Sequence, residues 1–164
     1  MQNFDKFAVD DLKWIETEEL NVDQKSQLLT LWNSEYPKAI MHSDIASLDA
    51  YFGKLQNLEH TMLLDQNNEI AAWYFDFVRN DENQFAIIIS SKYQGKALGK
   101  KLIHSAKVKH NKLTAWVVDE SNFEKTDGTL YRSPLSFYEK NGFTVLNDRW
   151  DSDVLNTVKI RWTK

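Results

Sequence analysis

The sequence predicts a mixed α/β domain: a mostly antiparallel central sheet with helices on both faces. Three observations carry this prediction. Apolar residues recur at helical spacing between Val22 and Leu55, and the period then shortens to that of strands from Thr61 to Ser91. The strand-like runs are separated by short polar turns, so they read as an antiparallel meander. A strand–helix–strand–helix–strand order follows, which makes the sheet mixed and supplies helices for its faces.

Each element has a local reason. Leu12 to Glu16 reads as a short first strand. Asn21 with Gln24 three residues later is a capping box. From it Val22, Leu28, Leu29, Leu31, Trp32 and Tyr36 hold helical spacing as far as Pro37, which closes the helix. Ser47 to Leu55 reads as a second helix with Leu48, Tyr51, Phe52 and Leu55 on one side. Thr61 to Asp65 and Ile70 to Arg79 form a hairpin about Asn67-Asn68, and Gln84 to Ser91 follows the polar stretch Asn80 to Asn83. Ala97 to Lys109 is helical and Leu113 to Val118 is a short apolar strand. Ser133-Pro134 starts another helix, with serine as N-cap and proline at the first helical position, and Asn141-Gly142 stops it. Phe143 to Leu146 and Asn156 to Trp162 complete the sheet.

The length of 164 residues suits one domain spanning 1–164, with no repeat or linker-like shift in composition. Only five glycines and two prolines argue against a disordered or collagen-like chain. Without cysteine there is no disulfide, no thiolate metal site and no cysteine nucleophile. The histidines, 42, 60, 104 and 110, show no metal-ligand spacing, so no metal is expected. Apolar runs are too short to span a membrane. The start Met-Gln-Asn-Phe-Asp-Lys lacks the basic and apolar stretches of a secretory signal, so a cytoplasmic location is expected.

The net charge of −4 argues against general nucleic-acid binding, but it is unevenly spread. Asn83 to Val118 contains no acid and seven lysines, while the rest of the chain holds thirteen basic and twenty-four acidic residues. A basic window in an acidic chain suits an anionic ligand, although a lysine-rich helix face in water is the plain alternative. Position favours the ligand. The strand from Phe85 runs into a turn with Gly95 and then into a helix, so several unpaired N–H groups gather at the positive end of the helix dipole. Gly95 permits the tight turn, and Gly99 permits close approach of a ligand or the neighbouring strand. Lys92, Lys96, Lys100 and Lys101 surround that turn. The spacing is neither a P-loop nor the dinucleotide fingerprint.

The segment Gln94-Gly95-Lys96-Ala97-Leu98-Gly99 resembles the acetyl-CoA signature Q/R-x-x-G-x-G/A of the GNAT superfamily of N-acetyltransferases. It matches at Gln94 and Gly99 and departs at Ala97, where the family usually has glycine. Ile87 and Ile89 fall where the family has aliphatic residues, and Ser91 where it commonly has proline. Ser136-Phe-Tyr-Glu-Lys-Asn-Gly-Phe143 resembles the family's FYEKxGF segment. The resemblance covers roughly residues 60 to 148. It implies the GNAT acyl-CoA N-acyltransferase fold, acetyl-CoA as co-substrate, and direct transfer to an amine in a ternary complex.

On that resemblance the cofactor-binding residues are Ile89, Ser91, Gln94, Gly95, Lys96, Ala97, Leu98, Gly99 and Lys100. The backbone of Ile89 is the candidate to polarise the thioester carbonyl. Tyr138 is the candidate proton donor to the leaving sulfur, because a phenol is protonated at neutral pH. Asp76, mid-strand and in phase with Tyr74, is one candidate base if it points into the cleft. Glu35, Asp119, Glu120 and a water chain are equally arguable. The loop from Asp119 to Arg132 is long enough to be functional and is expected to wall the acceptor site. Its Asp119, Glu120, Glu124 and Asp127 would favour a cationic small-molecule or peptide amine, and Trp32, Tyr36, Trp73 and Tyr131 are candidate aromatic linings. A non-catalytic CoA-binding module on the same fold is the rival reading. Nucleic acid and membrane are not expected as partners, and a homodimer is left open.

Overall fold

The computed structural model describes residues 11–164, so the amino-terminal stretch lies outside the described residues. Among the described residues seven strands form one sheet in the order β1-β2-β3-β4-β5-β7-β6. They are β1 (Lys13–Thr17), β2 (Gln56–Leu64), β3 (Ile70–Arg79), β4 (Glu82–Ile89), β5 (Lys112–Val118), β6 (Thr144–Asp151) and β7 (Asn156–Thr163). Every neighbouring pair is antiparallel except β4 and β5, which run parallel.

Helices α1 (Val22–Glu35) and α2 (Ile45–Phe52) cover one face of the sheet; α3 (Leu98–Lys109) and α4 (Leu135–Lys140) cover the other. Alternation along β3 sorts the core between them. Trp73, Phe75 and Phe77 pack with Leu28, Trp32, Leu48 and Phe52, whereas Tyr74 packs with Phe85, Leu102, Ile103 and Tyr138. Helices on both sides explain why eight consecutive residues of β3, Ile70 to Phe77, are buried.

The capping box at α1 is present in full: Gln24 N–H donates to Asn21 Oδ1 at 2.8 Å, and Asn21 N–H to Gln24 Oε1 at 2.9 Å. Other boundaries differ from expectation. Helix α2 begins at Ile45 because Asp44 caps it, accepting from Ser47 N–H. Strand β4 begins at Glu82, since Asn80 and Asp81 both take positive φ and close a two-residue hairpin turn. Strand β6 continues to Asp151 along the exposed edge of the sheet, where burial leaves no apolar signature in the sequence. At α4 the N-cap is Pro134. Ser133 stands one residue earlier, where its hydroxyl donates to Val118 C=O at 2.6 Å and ties the helix start to the end of β5.

Gly99 admits a neighbour other than the two expected. A Cβ there would lie 3.0 Å from Cζ of Phe137, so the glycine lets α4 close onto α3. Among the described residues no helix is long and apolar enough to cross a membrane.

Candidate functional site

The parallel strands β4 and β5 pair only at Gln84 and Thr114. Beyond that point they part, and a channel opens between them through the sheet. Hydrogen-bond alternation decides what β4 presents to it. Ser90 N–H donates to Ala71 C=O on β3, and the register continues through Trp73–Ile88 and Phe75–Ala86. In an antiparallel ladder the residues between these pairs turn their polar groups the other way. The main-chain N–H groups of Ile87 and Ile89 therefore face the channel.

The chamber on the α3–α4 side has a volume of about 700 Å³. Ile87 to Ile89, Gln94, Gly95, Ala97 to Lys100 and Tyr138 line it. Gly95 turns the chain with φ +78, and Ala97 follows in the left-handed region at φ 62. Ala97 occupies the N-cap of α3 without any side-chain cap, so the first N–H groups of that helix open toward the chamber. Lys100, Arg132 and Lys140 add positive charge to the lining. These features suit a phosphate-bearing ligand, and the free β4 edge suits an amide-containing chain. The residues present thus fit coenzyme A.

Glu35, at the end of α1, ties this turn to its surroundings. It accepts from Ser91 Oγ at 2.6 Å and from Gln94 Nε2 at 3.2 Å, and it pairs with Lys125 at 3.7 Å. Gln94 Nε2 also donates to Ile89 C=O at 3.2 Å, joining the turn to the end of β4.

The chamber on the α1–α2 side has a volume of about 610 Å³ and shares Tyr36, Ile87, Tyr131, Pro134 and Tyr138 with the first. Tyr138 is buried at this junction, and burial holds its hydroxyl well above the ordinary phenol range. Burial likewise pushes Tyr131 up to about 12. Both hydroxyls therefore keep their protons throughout the neutral range.

Several expected site residues lie elsewhere. Asp76 lines neither chamber: its carboxylate is buried under α3, where it accepts from Tyr74 Oη at 2.7 Å and pairs with His110 at 3.0 Å. It shares a sheet face with α3, which diverts it from the channel. Ser91 is taken up by Glu35, and neither Ser91 nor Lys96 lines the chamber. Asp119 pairs with Arg149 at 2.6 Å, and none of the four loop acids lines either chamber. Trp32, Tyr36 and Tyr131 do line the channel, whereas Trp73 is fully buried core.

Sequence reasoning missed Arg132, Lys140, His42 and Arg79. Lys140 carried a signal, since it follows Ser136 by one helical turn on α4. The other three reach the channel only through packing.

The Acetyltransferase (GNAT) domain model matches residues 57–145. No curated protein sequence matches the chain. Solved structures share the fold at low identity. An aminoglycoside 6'-N-acetyltransferase complexed with coenzyme A aligns with a TM-score of 0.67 at 14% identity, covering 92% of this chain and 96% of that one. A spermidine/spermine N-acetyltransferase from Vibrio cholerae aligns with a TM-score of 0.61 at 16% identity, covering 94% and 93%. A phosphinothricin acetyltransferase from Sinorhizobium meliloti in complex with acetyl-CoA aligns with a TM-score of 0.64 at 9% identity, covering 93% and 88%.

Proposed function

Because the chain belongs to the GNAT acetyltransferase domain family, we propose that it transfers an acetyl group from acetyl-CoA to a primary amine by direct attack in a ternary complex. The observation that carries this reading is the parting of β4 from β5. It leaves backbone donors free on one strand, directly before the uncapped start of α3. Acetyl-CoA supplies the activated acyl group, and the chain supplies orientation and protons.

In this reading the amides at the start of α3 and the side chain of Lys100 hold the pyrophosphate. Gln94 shapes the turn through its bonds to Ile89 and Glu35. The N–H of Ile89 stabilises the charge that develops on the carbonyl oxygen. The amine nitrogen bonds to the carbonyl carbon as the C–S bond breaks, and Tyr138 gives its proton to the departing sulfur. The proton lost by the amine leaves through water and restores the phenol, so the enzyme returns unchanged.

Isothermal titration with acetyl-CoA, followed by a thiol-release assay across a panel of amines, tests the reading. Saturable binding with amine-dependent thiol release is expected. Absence of acetyl-CoA binding overturns it, and binding without release from any amine favours a CoA-binding module.

A further inference from the structure

Among the described residues, the chamber on the α1–α2 side is lined without a single carboxylate. Its walls are Trp32, Tyr51, Phe77, Trp116, Val154 and Leu155, with Trp150 at the mouth. Among the described residues that line it, Arg79 is the only charged side chain other than His42, whose charge depends on its protonation, and Arg79 is positive. Its Nη2 donates to Gln84 Oε1 at 2.8 Å, and its guanidinium lies 5.2 Å from the Phe77 ring centroid. Of the acids of the 119–132 loop, which a polycationic acceptor would need, Asp119, Glu120 and Asp127 face other partners, and Glu124 does not line the chamber.

We propose that the acceptor is a primary monoamine with an aromatic body, which lies in this chamber with its amino group at the Tyr36–Tyr131–Tyr138 junction. The proposal rests on the acetyltransfer reading and names its substrate class. Rings line the way inward from that junction. Tyr131 and Tyr36 stand 6.2 Å apart, Tyr36 and Trp32 4.8 Å, and Trp32 meets Tyr51 at 5.3 Å, all edge to face. Such a wall receives an aromatic ring at favourable offset or edge geometry. A second ammonium placed there would lose its water without a carboxylate in exchange and would meet Arg79.

The same lining bears on the protonation of the amine. A primary alkylamine has a pKa near that of lysine, about 10. Burial in an apolar chamber disfavours the ammonium form and so favours the neutral nucleophile.

The test compares 2-phenylethylamine, spermidine and kanamycin in two measurements on the full chain. In the first, thiol release from acetyl-CoA should give 2-phenylethylamine a kcat/KM about tenfold or more above either polycation. Leu155→Glu, in the turn between β6 and β7, should reverse that order toward spermidine. In the second, without acetyl-CoA, 2-phenylethylamine should quench the fluorescence of the chamber tryptophans saturably, and spermidine should not. Spermidine or kanamycin turned over as well as 2-phenylethylamine overturns the proposal while leaving acetyltransfer standing. If acetyl-CoA does not bind, acetyltransfer fails, and the quenching experiment alone decides whether an arylalkylamine site exists; no quenching overturns it.

Discussion

Tyr138 is held by its neighbours. Phe85, Phe137 and Phe143 surround its ring at 5.7, 5.1 and 5.5 Å, so the hydroxyl is aimed at the junction of the two chambers by packing. Tyr138→Phe keeps that packing and removes the hydroxyl that would donate the proton. We expect kcat to fall by about 10- to 100-fold, at or below the low end for a general acid because a thiolate is already a fair leaving group. The Kd for acetyl-CoA, read by titration, should stay the same. An unchanged kcat removes Tyr138 from the mechanism. Ala97 shows the opposite kind of constraint. An alanine in the left-handed region costs roughly 1 kcal/mol, and glycine does not bear that cost. Ala97→Gly should therefore raise stability to denaturant by up to about 1 kcal/mol while holding or improving acetyl-CoA affinity. A lower midpoint of unfolding would contradict this account of the turn.

At the scale of elements, Glu35 joins three of them: the end of α1, the turn before α3 and the loop before α4. That loop folds back on itself as a small hairpin, with Lys125 N–H donating to Thr129 C=O and Gly128 turning at φ +85. It is anchored to α1 and the residues after it, since Thr126 Oγ1 donates to Asn33 C=O at 3.0 Å and Lys38 N–H to Glu124 C=O at 2.8 Å. Hydrogen bonds to a charged acceptor contribute roughly 1.5–3 kcal/mol. Glu35→Ala should loosen the turn and weaken acetyl-CoA binding by about tenfold, measured by titration, with a smaller change in kcat. An unaltered Kd would show that the turn holds its shape without this tie.

For the whole molecule, acid is the expected weakness. His60 is buried between β2's neighbours, accepts from Trp73 Nε1 at 3.0 Å, and is pushed down to about 4 by loss of water. The unfolded chain binds a proton near 6.5, so below that pH protons favour unfolding, and the loss continues until pH reaches about 4. The gap between the two values corresponds to about 3 kcal/mol. Glu82, held low by Lys159 and Arg161 against the opposing effect of burial, adds a loss in the same direction as pH falls through its folded value. Thermal unfolding should therefore show a Tm that falls steadily from pH 6.5 to 4. His60→Gln, which can still accept from Trp73, should flatten that slope; an equal slope in the variant would assign the acid sensitivity to the carboxylates.

The sequence by itself determined the order of elements and the start of α3. Both follow from local physics: caps, turn residues and the period of apolar side chains act over a few neighbours. It also carried Gln94, Gly99 and Tyr138, whose surroundings are set by the turn and by α4. Element ends that depend on exposure, such as β6 at the sheet edge, left no such trace. The direction of a polar side chain depends on which helix lies across from it. Asp76 goes under α3 rather than into the channel for that reason, and Asp119, Glu120 and Asp127 of the loop turn to Arg149, Asn156 and Thr129. Only tertiary packing brings Trp32, Tyr51, Phe77 and Trp116 around one space, because their elements are far apart in the chain and meet where β4 and β5 separate.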